Sequence, residues 1–458
     1  MDYADLSKGT IDLPVVRAPA TDPANHIGAT FYNPGGPGVP VSGTLKDPDL
    51  TWLFNAQVLS RFDIVGVDPR GTTNGIECVD TAFLEQYWET SHLPRTDAEI
   101  GNLMGLERQY NRACRDNNLP LIKHVDTASV VRDMEQLRRA AGLATFSYFG
   151  NSYGTFIGYR YARLYPGRLR ALVLDAVVDR SSPDQQHIEE SNRSFDSMWQ
   201  QFKTWCHATA SCRMRGRDIE RDVDTLMAQA RVNPLPAPRA LFTTRPVNDW
   251  ILTFALQFTT QFGDITFNWV DQVISEALLD NDASVARYIY DISTGATLPG
   301  GEYHPDGAQR RTITCLDTAW SNKLTTIEDV KKLAAKLRQG SPRLGESNTY
   351  QVTNCFGYPI EPIETPPLQV GLTNPPPILV VGGSRDASTP LLWAQRIASK
   401  LSGSRLLVRD GYGHGSYGKS RCIQQHVDSF FINLTLPPAG TVCPTDPGPY
   451  PPQAPLLP

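Results

Sequence analysis

The stretch GNSYG at residues 150–154 places Ser152 between two glycines, where a strand-like pattern gives way to a helix-like one. Upstream, a helical pattern over 124–143 is followed by the apolar run ATFSYF at 144–149. Downstream, a second helical pattern and a second apolar run occupy 155–178. A serine on a sharp turn between strand and helix has an exposed hydroxyl, and small flanking residues allow that turn to close. The sequence therefore predicts Ser152 as a nucleophile rather than as a small polar residue in an ordinary turn.

The chain as a whole divides into three zones of different pattern. Over residues 1–180 strands and helices alternate, as in a parallel α/β sheet, and this zone holds the predicted nucleophile. Residues 181–365 carry helical periodicity with few strand signals, so we expect a mainly helical cap or lid here. Alternation returns over 366–458, which ends in a proline-rich tail from Pro437. These zones predict an α/β fold with a mostly parallel central sheet, helices on both faces and an inserted helical cap.

A nucleophilic serine needs a base and a carboxylate that orients this base. Asp386 follows the apolar run ILVVGGSR, and His414 follows RLLVRDGYG, so both lie in loops after predicted strands. Serine, acid and base occur in this order along the chain in one known arrangement of the triad. Asp410 in the histidine loop and His426 in a helix-like segment are the competing candidates. We predict Ser152, Asp386 and His414 as the catalytic triad.

The oxyanion of an acyl-transfer reaction needs backbone N–H donors. One is expected from the residue after the nucleophile, Tyr153, and the second from an early glycine-rich loop. NPGGPG at 33–38 fits such a loop, although glycine and proline clusters also form plain turns. Pro37 has no N–H, so Gly36 is the predicted second donor, with Gly35 as the alternative.

Five segments, in this order and spacing, resemble the α/β-hydrolase family of proline iminopeptidases and tripeptidyl aminopeptidases: YNPGGPG, FDIVGVDPRG, GNSYG, GGSRDASTP and GYGHGSY. The secreted tripeptidyl-aminopeptidase-like branch is the closer match, because residues 2–20 and TITCLDTAW at 312–320 also resemble it, and the similarity spans residues 2 to about 445. The resemblance implies the α/β-hydrolase fold and a serine exopeptidase that removes short peptides or residues from free amino termini. Pro34 and Tyr153 replace the histidine and tryptophan of proline iminopeptidases, which argues against proline specificity.

An aminopeptidase must also bind a substrate ammonium, which calls for a carboxylate outside the triad. Asp317 in TITCLDTAW is the first candidate, and Glu189 and Glu190 in HIEES are the next. Alternatively, each of these carboxylates is an ordinary solvated charge on a helix, with no role in substrate binding. The family branch also contains hydrolases of small esters and amides, so an esterase, amidase or lactonase on the same triad is the alternative function. Such an enzyme would need no anion and would use the aromatic cap as an apolar pocket.

The expected partner is a small peptide, or a small ester or amide. A formal charge of −5 and a pI near 5.9 argue against nucleic acid, and no apolar run approaches the roughly 20 residues of a membrane span. The sequence has neither a dinucleotide fingerprint nor a His-x-x-x-His motif, so we expect no cofactor and no metal. We expect a monomer.

The eight cysteines indicate the compartment. None forms a C-x-x-C pair, and an even number spread along a large chain is typical of disulfides in an oxidising compartment. Pairing of neighbours along the chain closes the shortest loops and is our expected connectivity. Residues 1–10 lack the apolar core of a signal peptide. We therefore predict a secreted or otherwise extracytoplasmic protein whose leader is absent from this chain, with the cytoplasm as the alternative.

Overall fold

The computed structural model describes residues 2–73, 75–304 and 308–446. Its centre is an eight-stranded sheet of order β1-β3-β2-β4-β5-β6-β7-β8, in which all neighbours are parallel except the antiparallel pair β1 and β3. The strands are β1 Val15–Ala18, β2 Gly28–Asn33, β3 Phe62–Val67, β4 Phe146–Asn151, β5 Leu169–Asp175, β6 Ile378–Arg385, β7 Ser404–Tyr412 and β8 Val442–Pro444. The mostly parallel sheet confirms the predicted fold class.

Seventeen α-helices are present in the described part of the chain. They are α1 Val41–Leu45, α2 Ala56–Arg61, α3 Thr81–Glu89, α4 Asp97–Asn118, α5 Thr127–Ala140, α6 Tyr153–Leu164, α7 Asp184–Ala208, α8 Ile219–Val232, α9 Asp249–Thr260, α10 Phe267–Leu279, α11 Ser284–Thr294, α12 Gln309–Leu316, α13 Trp320–Lys323, α14 Ile327–Gly340, α15 Gly345–Val352, α16 Leu391–Lys400 and α17 Arg421–Asn433. Nine of them, α7 to α15, lie between β5 and β6, and they form the helical insertion that the sequence predicted.

Both faces of the sheet are covered by helices. Side chains alternate along each strand, so Tyr148 of β4 joins one apolar core while Phe149 joins the other. Helices α5, α6 and α16 contribute to the first core, and α1, α2 and α17 to the second. A third apolar core, which includes Trp199, Ile251 and Tyr290, packs most of the inserted helices against one another. The continuous apolar runs of the sequence are therefore strands buried on both faces.

Two local boundaries differ from the sequence patterns in an informative way. Strand β4 starts at Phe146 rather than Ala144 and continues to Asn151, because it pairs with β5 up to the residue before Ser152. The apolar run at 169–178 leaves the sheet after Asp175, where Ala176 takes a positive φ of 60°. The domain boundaries at 180 and 365 stay predictions. Of the predicted proline-rich tail, residues 447–458 lie outside the described residues.

All eight cysteines form disulfides, in the neighbour pairing expected from the sequence. The pairs are Cys78–Cys114, Cys206–Cys212, Cys315–Cys355 and Cys422–Cys443. Cys315–Cys355 joins α12 to the segment after α15, whereas Cys206–Cys212 closes a short loop at the end of α7. Among the described residues, none of the helices has the length and apolar character needed to cross a membrane.

We predict that these two disulfides differ in their contribution to stability. Their sequence separations are 40 and 6 residues, and constraint of the unfolded chain grows with loop length, giving about 4 and about 2 kcal/mol respectively. The double variant Cys315→Ala/Cys355→Ala should therefore lower the free energy of unfolding more than Cys206→Ala/Cys212→Ala does, as measured by denaturant titration. Equal losses would contradict this ranking, and eight titratable thiols in the native protein would contradict the pairing itself.

Candidate active site

Ser152 occupies a strained turn between β4 and α6. Its φ of 54° and ψ of −124° are unfavourable for a residue other than glycine, and such strain is typical of functional positions. A Cβ atom on Gly150 would lie 2.4 Å from the carbonyl oxygen of Gly154, and one on Gly154 would lie 2.4 Å from that of Asn33. The turn therefore closes only because both flanking residues are glycine. The Ser152 amide donates to the carbonyl oxygen of Asp175 at 3.0 Å, which fixes the turn to β5.

The predicted acid and base are in contact. His414 Nδ1 lies 2.9 and 3.1 Å from the two carboxylate oxygens of Asp386, so the ring presents Nε2 on its opposite side. The amides of Ser388 and Thr389 both donate to Asp386 Oδ1 at 2.9 Å. The Thr389 hydroxyl donates to Oδ2 at 2.8 Å and lies 3.2 Å from His414 Nδ1. This role of Thr389 was not predicted from the sequence, where only its position three residues after Asp386 could have indicated it.

The competing residues lie elsewhere. Asp410 accepts a hydrogen bond from Ser384, and His426 lies in α17.

Burial and pairing set the protonation of this pair. Burial lowers the pKa of His414, but the charge and hydrogen bond of Asp386 raise it by more, so the pKa lies above its usual 6.5. Burial raises the pKa of Asp386, but the contacts with His414 and Thr389 outweigh it and hold this pKa below its usual value. The carboxylate therefore stays ionised beside an imidazole whose proton affinity is increased, which suits a general base.

The glycine-rich loop at 33–38 lies against the Ser152 turn. A Cβ atom on Gly35 would lie 2.7 Å from the Tyr153 amide nitrogen and 2.9 Å from Ser152 Cβ. The Gly35 amide donates to the Asn33 side chain at 2.9 Å. In the described part of the chain, the amides of Gly36 and Tyr153 have no acceptor. This pattern favours Gly36 over Gly35 as the second donor of an oxyanion hole.

The histidine loop is held against the Ser152 turn by Asp175, at the end of β5. The buried Asp175 carboxylate accepts from the amides of residues 416 and 417 at 2.9 and 2.8 Å, while its carbonyl oxygen accepts from Ser152. A Cβ atom on Gly415 would lie 3.2 Å from Asn151 Nδ2, so the two loops are in close contact. Asp175 thus connects the Ser152 turn to the loop of the predicted base. A carboxylate that ends an apolar strand was the only sequence signal for it.

Two cationic side chains, Arg409 and Lys419, donate hydrogen bonds to the backbone of the histidine loop. Arg409 Nη2 donates to the carbonyl oxygens of residues 412, 413 and 415, at 2.8, 2.8 and 3.1 Å. Lys419 Nζ donates to the carbonyl oxygen of His414 at 2.7 Å. Arg409 is fully buried, and Lys419 is partly buried. Four successive carbonyl groups are therefore fixed by positive charges, an arrangement that the sequence analysis did not identify.

Asp317 lies beside Tyr153, the residue that follows Ser152. Its carboxylate accepts from the Tyr153 hydroxyl at 2.7 Å, and from the amide and hydroxyl of Thr127. It is only 3% exposed, and burial raises its pKa to about 6. Protein donors therefore already engage this carboxylate, mainly at Oδ2, whereas among the described residues Oδ1 receives only the Thr127 amide at 3.2 Å. The substrate-binding role of Asp317 stays a prediction, and the geometry favours a second role, which is to hold the Tyr153 side chain.

The two glutamates of α7 lie in other surroundings. Glu190 is buried, forms an ion pair with Arg396 at 2.7 Å and accepts from the Trp393 indole at 2.7 Å. Glu189 accepts from Gln185 one turn earlier, at 3.0 Å. Among the described residues neither glutamate contacts a member of the predicted triad, and their substrate-binding role also stays a prediction.

Known proteins resemble this chain over most of its length. A family model described as TAP-like protein matches residues 341–443. A tripeptidyl aminopeptidase from Streptomyces lividans is 28% identical over 94% of this chain and 80% of that protein. Serine protease Hip1 from Mycobacterium tuberculosis is 26% identical over 97% of this chain and 85% of its own. Carboxylesterase B from the same organism is 26% identical over 97% of this chain and 84% of its own. The chain is therefore similar to tripeptidyl-aminopeptidase-like proteins over most of its length, and it is a hydrolase of the serine type.

Proposed function

We propose that this protein is a serine exopeptidase that releases short peptides or residues from free amino termini. Three observations support the proposal: the strained Ser152 turn, the His414–Asp386 pair in a loop that contacts this turn, and the amides of Gly36 and Tyr153, which have no acceptor among the described residues. A nucleophile, an oriented base and an oxyanion hole are the components that acyl transfer requires. The relatives named tripeptidyl aminopeptidase and serine protease support peptide bonds as the target.

In the proposed reaction Ser152 Oγ attacks the carbonyl carbon of the scissile bond while His414 Nε2 takes its proton. The charge of Asp386 stabilises the resulting imidazolium, and its contact at Nδ1 fixes the tautomer. The oxyanion receives hydrogen bonds from the Gly36 and Tyr153 amides, each of which contributes on the order of 10²–10³ in rate in comparable sites. His414 then protonates the leaving amine, and water hydrolyses the acyl-enzyme by the same steps in reverse order.

We also propose an extracytoplasmic location. Four disulfides, which together include all eight cysteines, persist in oxidising compartments and are rare in the cytosol.

A small-molecule esterase is the second candidate, because one relative of similar identity is named a carboxylesterase. The same triad would serve both reactions, so only the substrate separates them.

Acetylation of the substrate amino terminus distinguishes the two functions. A charged contact to the substrate ammonium is worth roughly 1.5–3 kcal/mol, so its removal should lower kcat/KM at least about 10-fold. We expect this loss when matched aminoacyl, dipeptidyl and tripeptidyl anilides are compared in free and acetylated form. Equal cleavage of the two forms, together with faster turnover of short nitrophenyl esters, would overturn the exopeptidase proposal in favour of the esterase.

The variant Asp317→Asn, measured with the same free and acetylated anilides, tests whether Asp317 binds the substrate ammonium. Because the Asp317 carboxylate accepts from Tyr153 and Thr127, we expect its loss to lower kcat/KM on free and acetylated substrates alike. If the variant instead narrows the gap between the two forms, Asp317 is the anchor of the ammonium.

The pH dependence of kcat/KM tests His414 as the base. Only the neutral imidazole accepts the serine proton, so activity should fall with decreasing pH through a pKa above 6.5. The positive charge of Lys419 lowers this pKa. Lys419→Met should therefore raise it and move the acid limb to higher pH, by roughly half a unit to one unit, whereas Lys419→Arg should keep the limb near its wild-type position. An acid limb that stays in place or moves to lower pH in the methionine variant would exclude His414 beside Lys419 as the titrating base.

A further inference from the structure

Helix α12 connects the two halves of the proposed oxyanion hole. At its start, the Gln309 side chain donates to the carbonyl oxygen of Gly38 at 3.4 Å, and a Cβ atom on Gly38 would lie 2.6 Å from Gln309 Cγ. At its end, Asp317 accepts from the hydroxyl of Tyr153 at 2.7 Å. The helix therefore runs along the site, from the glycine-rich loop to the residue after the nucleophile.

Arg310 lies on the face of α12 that is directed toward this site. Seven residues separate it from Asp317, which is within about 20° of two full helical turns, so both side chains leave the helix on the same side. A Cβ atom on Gly38 would lie 3.2 Å from the Arg310 amide nitrogen, which places this residue beside the glycine-rich loop. The adjacent Arg311 points elsewhere, because it is buried and pairs with Glu107.

The charge of Arg310 has no partner among the described residues, in which no hydrogen bond, ion pair or aromatic contact involves its guanidinium. The residue is exposed, yet surrounding protein desolvates the group enough to lower its pKa. A partly desolvated cation without a counter-charge favours the binding of an anion.

We propose that Arg310 is a substrate-binding residue that pairs with a carboxylate of the substrate. This inference rests on the proposed function and names the substrate class that the site prefers. The planar guanidinium matches a carboxylate in two parallel hydrogen bonds. In a short peptide that carboxylate comes from an acidic side chain near the scissile bond, or from the free carboxyl terminus.

Charge reversal tests the proposal. The substrates are peptides with a free amino terminus. In one series, Glu, Gln or Lys is placed in turn at each position next to the scissile bond. In the other, the shortest peptides are made both with a free carboxyl terminus and with an amidated one. For the wild type we expect kcat/KM at least about 10-fold higher for Glu than for Gln at one position, or for the free acid than for the amide. The first result assigns the side chain and the second the carboxyl terminus. Arg310→Glu should reverse the preference, toward Lys or toward the amide.

Arg215→Glu is the matched control, because Arg215 is exposed in the loop after α7 and the substitution changes the net charge by the same amount. It should keep the wild-type ratios. A wild type without preference for any acidic substrate, or an Arg310→Glu variant with wild-type ratios, would overturn the inference.

The failure of this inference is distinguishable from that of the proposed function. Neutral free-amine peptides report the exopeptidase activity itself, whatever the role of Arg310. If the protein cleaves only esters, nitrophenyl esters with and without a free carboxylate replace the peptides. The ratio of their kcat/KM values is then compared between the wild type and Arg310→Glu. An equal ratio in the two proteins would again contradict the inference.

Discussion

The close approach of three backbone segments at Ser152 is the constraint on which the rest of the site depends. Ser152 has a backbone conformation that costs on the order of 1–3 kcal/mol and persists only where surrounding contacts enforce it. Those contacts come from the glycine-rich loop through Gly35, from the flanking glycines, and from the carbonyl oxygen of Asp175. A methyl group at any of the three glycines would meet backbone atoms at 2.7 Å or less, so the turn and the proposed oxyanion hole form together.

Buried charges extend this constraint to the base. Asp175 lies between the Ser152 turn and the histidine loop, and burial raises the pKa of its carboxyl. Arg409 and Lys419 fix the carbonyl groups of that loop from the other side. Removing one such charge leaves others without compensation, which is expensive in a buried site. Ionic and hydrogen-bonding contacts therefore hold the backbone of the His414 loop.

Sequence patterns predicted those parts of the site that local spacing determines. Local patterns predicted the strand, turn and helix around Ser152, and also the loops of Asp386 and His414. This was possible because each motif lies within about ten residues. The pairing of cysteines was also predictable, since neighbours close the shortest loops. Asp175, Arg409 and Lys419 were missed because their roles arise only when β5 and β7 take their places in the sheet.

The carboxylates predicted to bind the substrate ammonium also depend on contacts between residues far apart in the sequence. In the sequence, nothing distinguishes Glu190 from the neighbouring helix charge Glu189. Its ion-pair partner, Arg396, lies 206 residues away along the chain. Asp317 was selected for its segment and does lie beside Tyr153, but Thr127, 190 residues earlier, also occupies its carboxylate. Whether a carboxylate is free or paired depends on contacts over such separations, which periodicity does not encode.

The central claim is that Ser152 is the nucleophile, and covalent labelling tests it most directly. A fluorophosphonate that reacts with activated serines should add once per chain, and peptide mapping by mass spectrometry should locate the adduct on Ser152. The wild type should lose its hydrolytic activity in proportion to labelling, and Ser152→Ala should neither label nor turn over substrate. An adduct on another residue, or full activity in Ser152→Ala, would contradict the account.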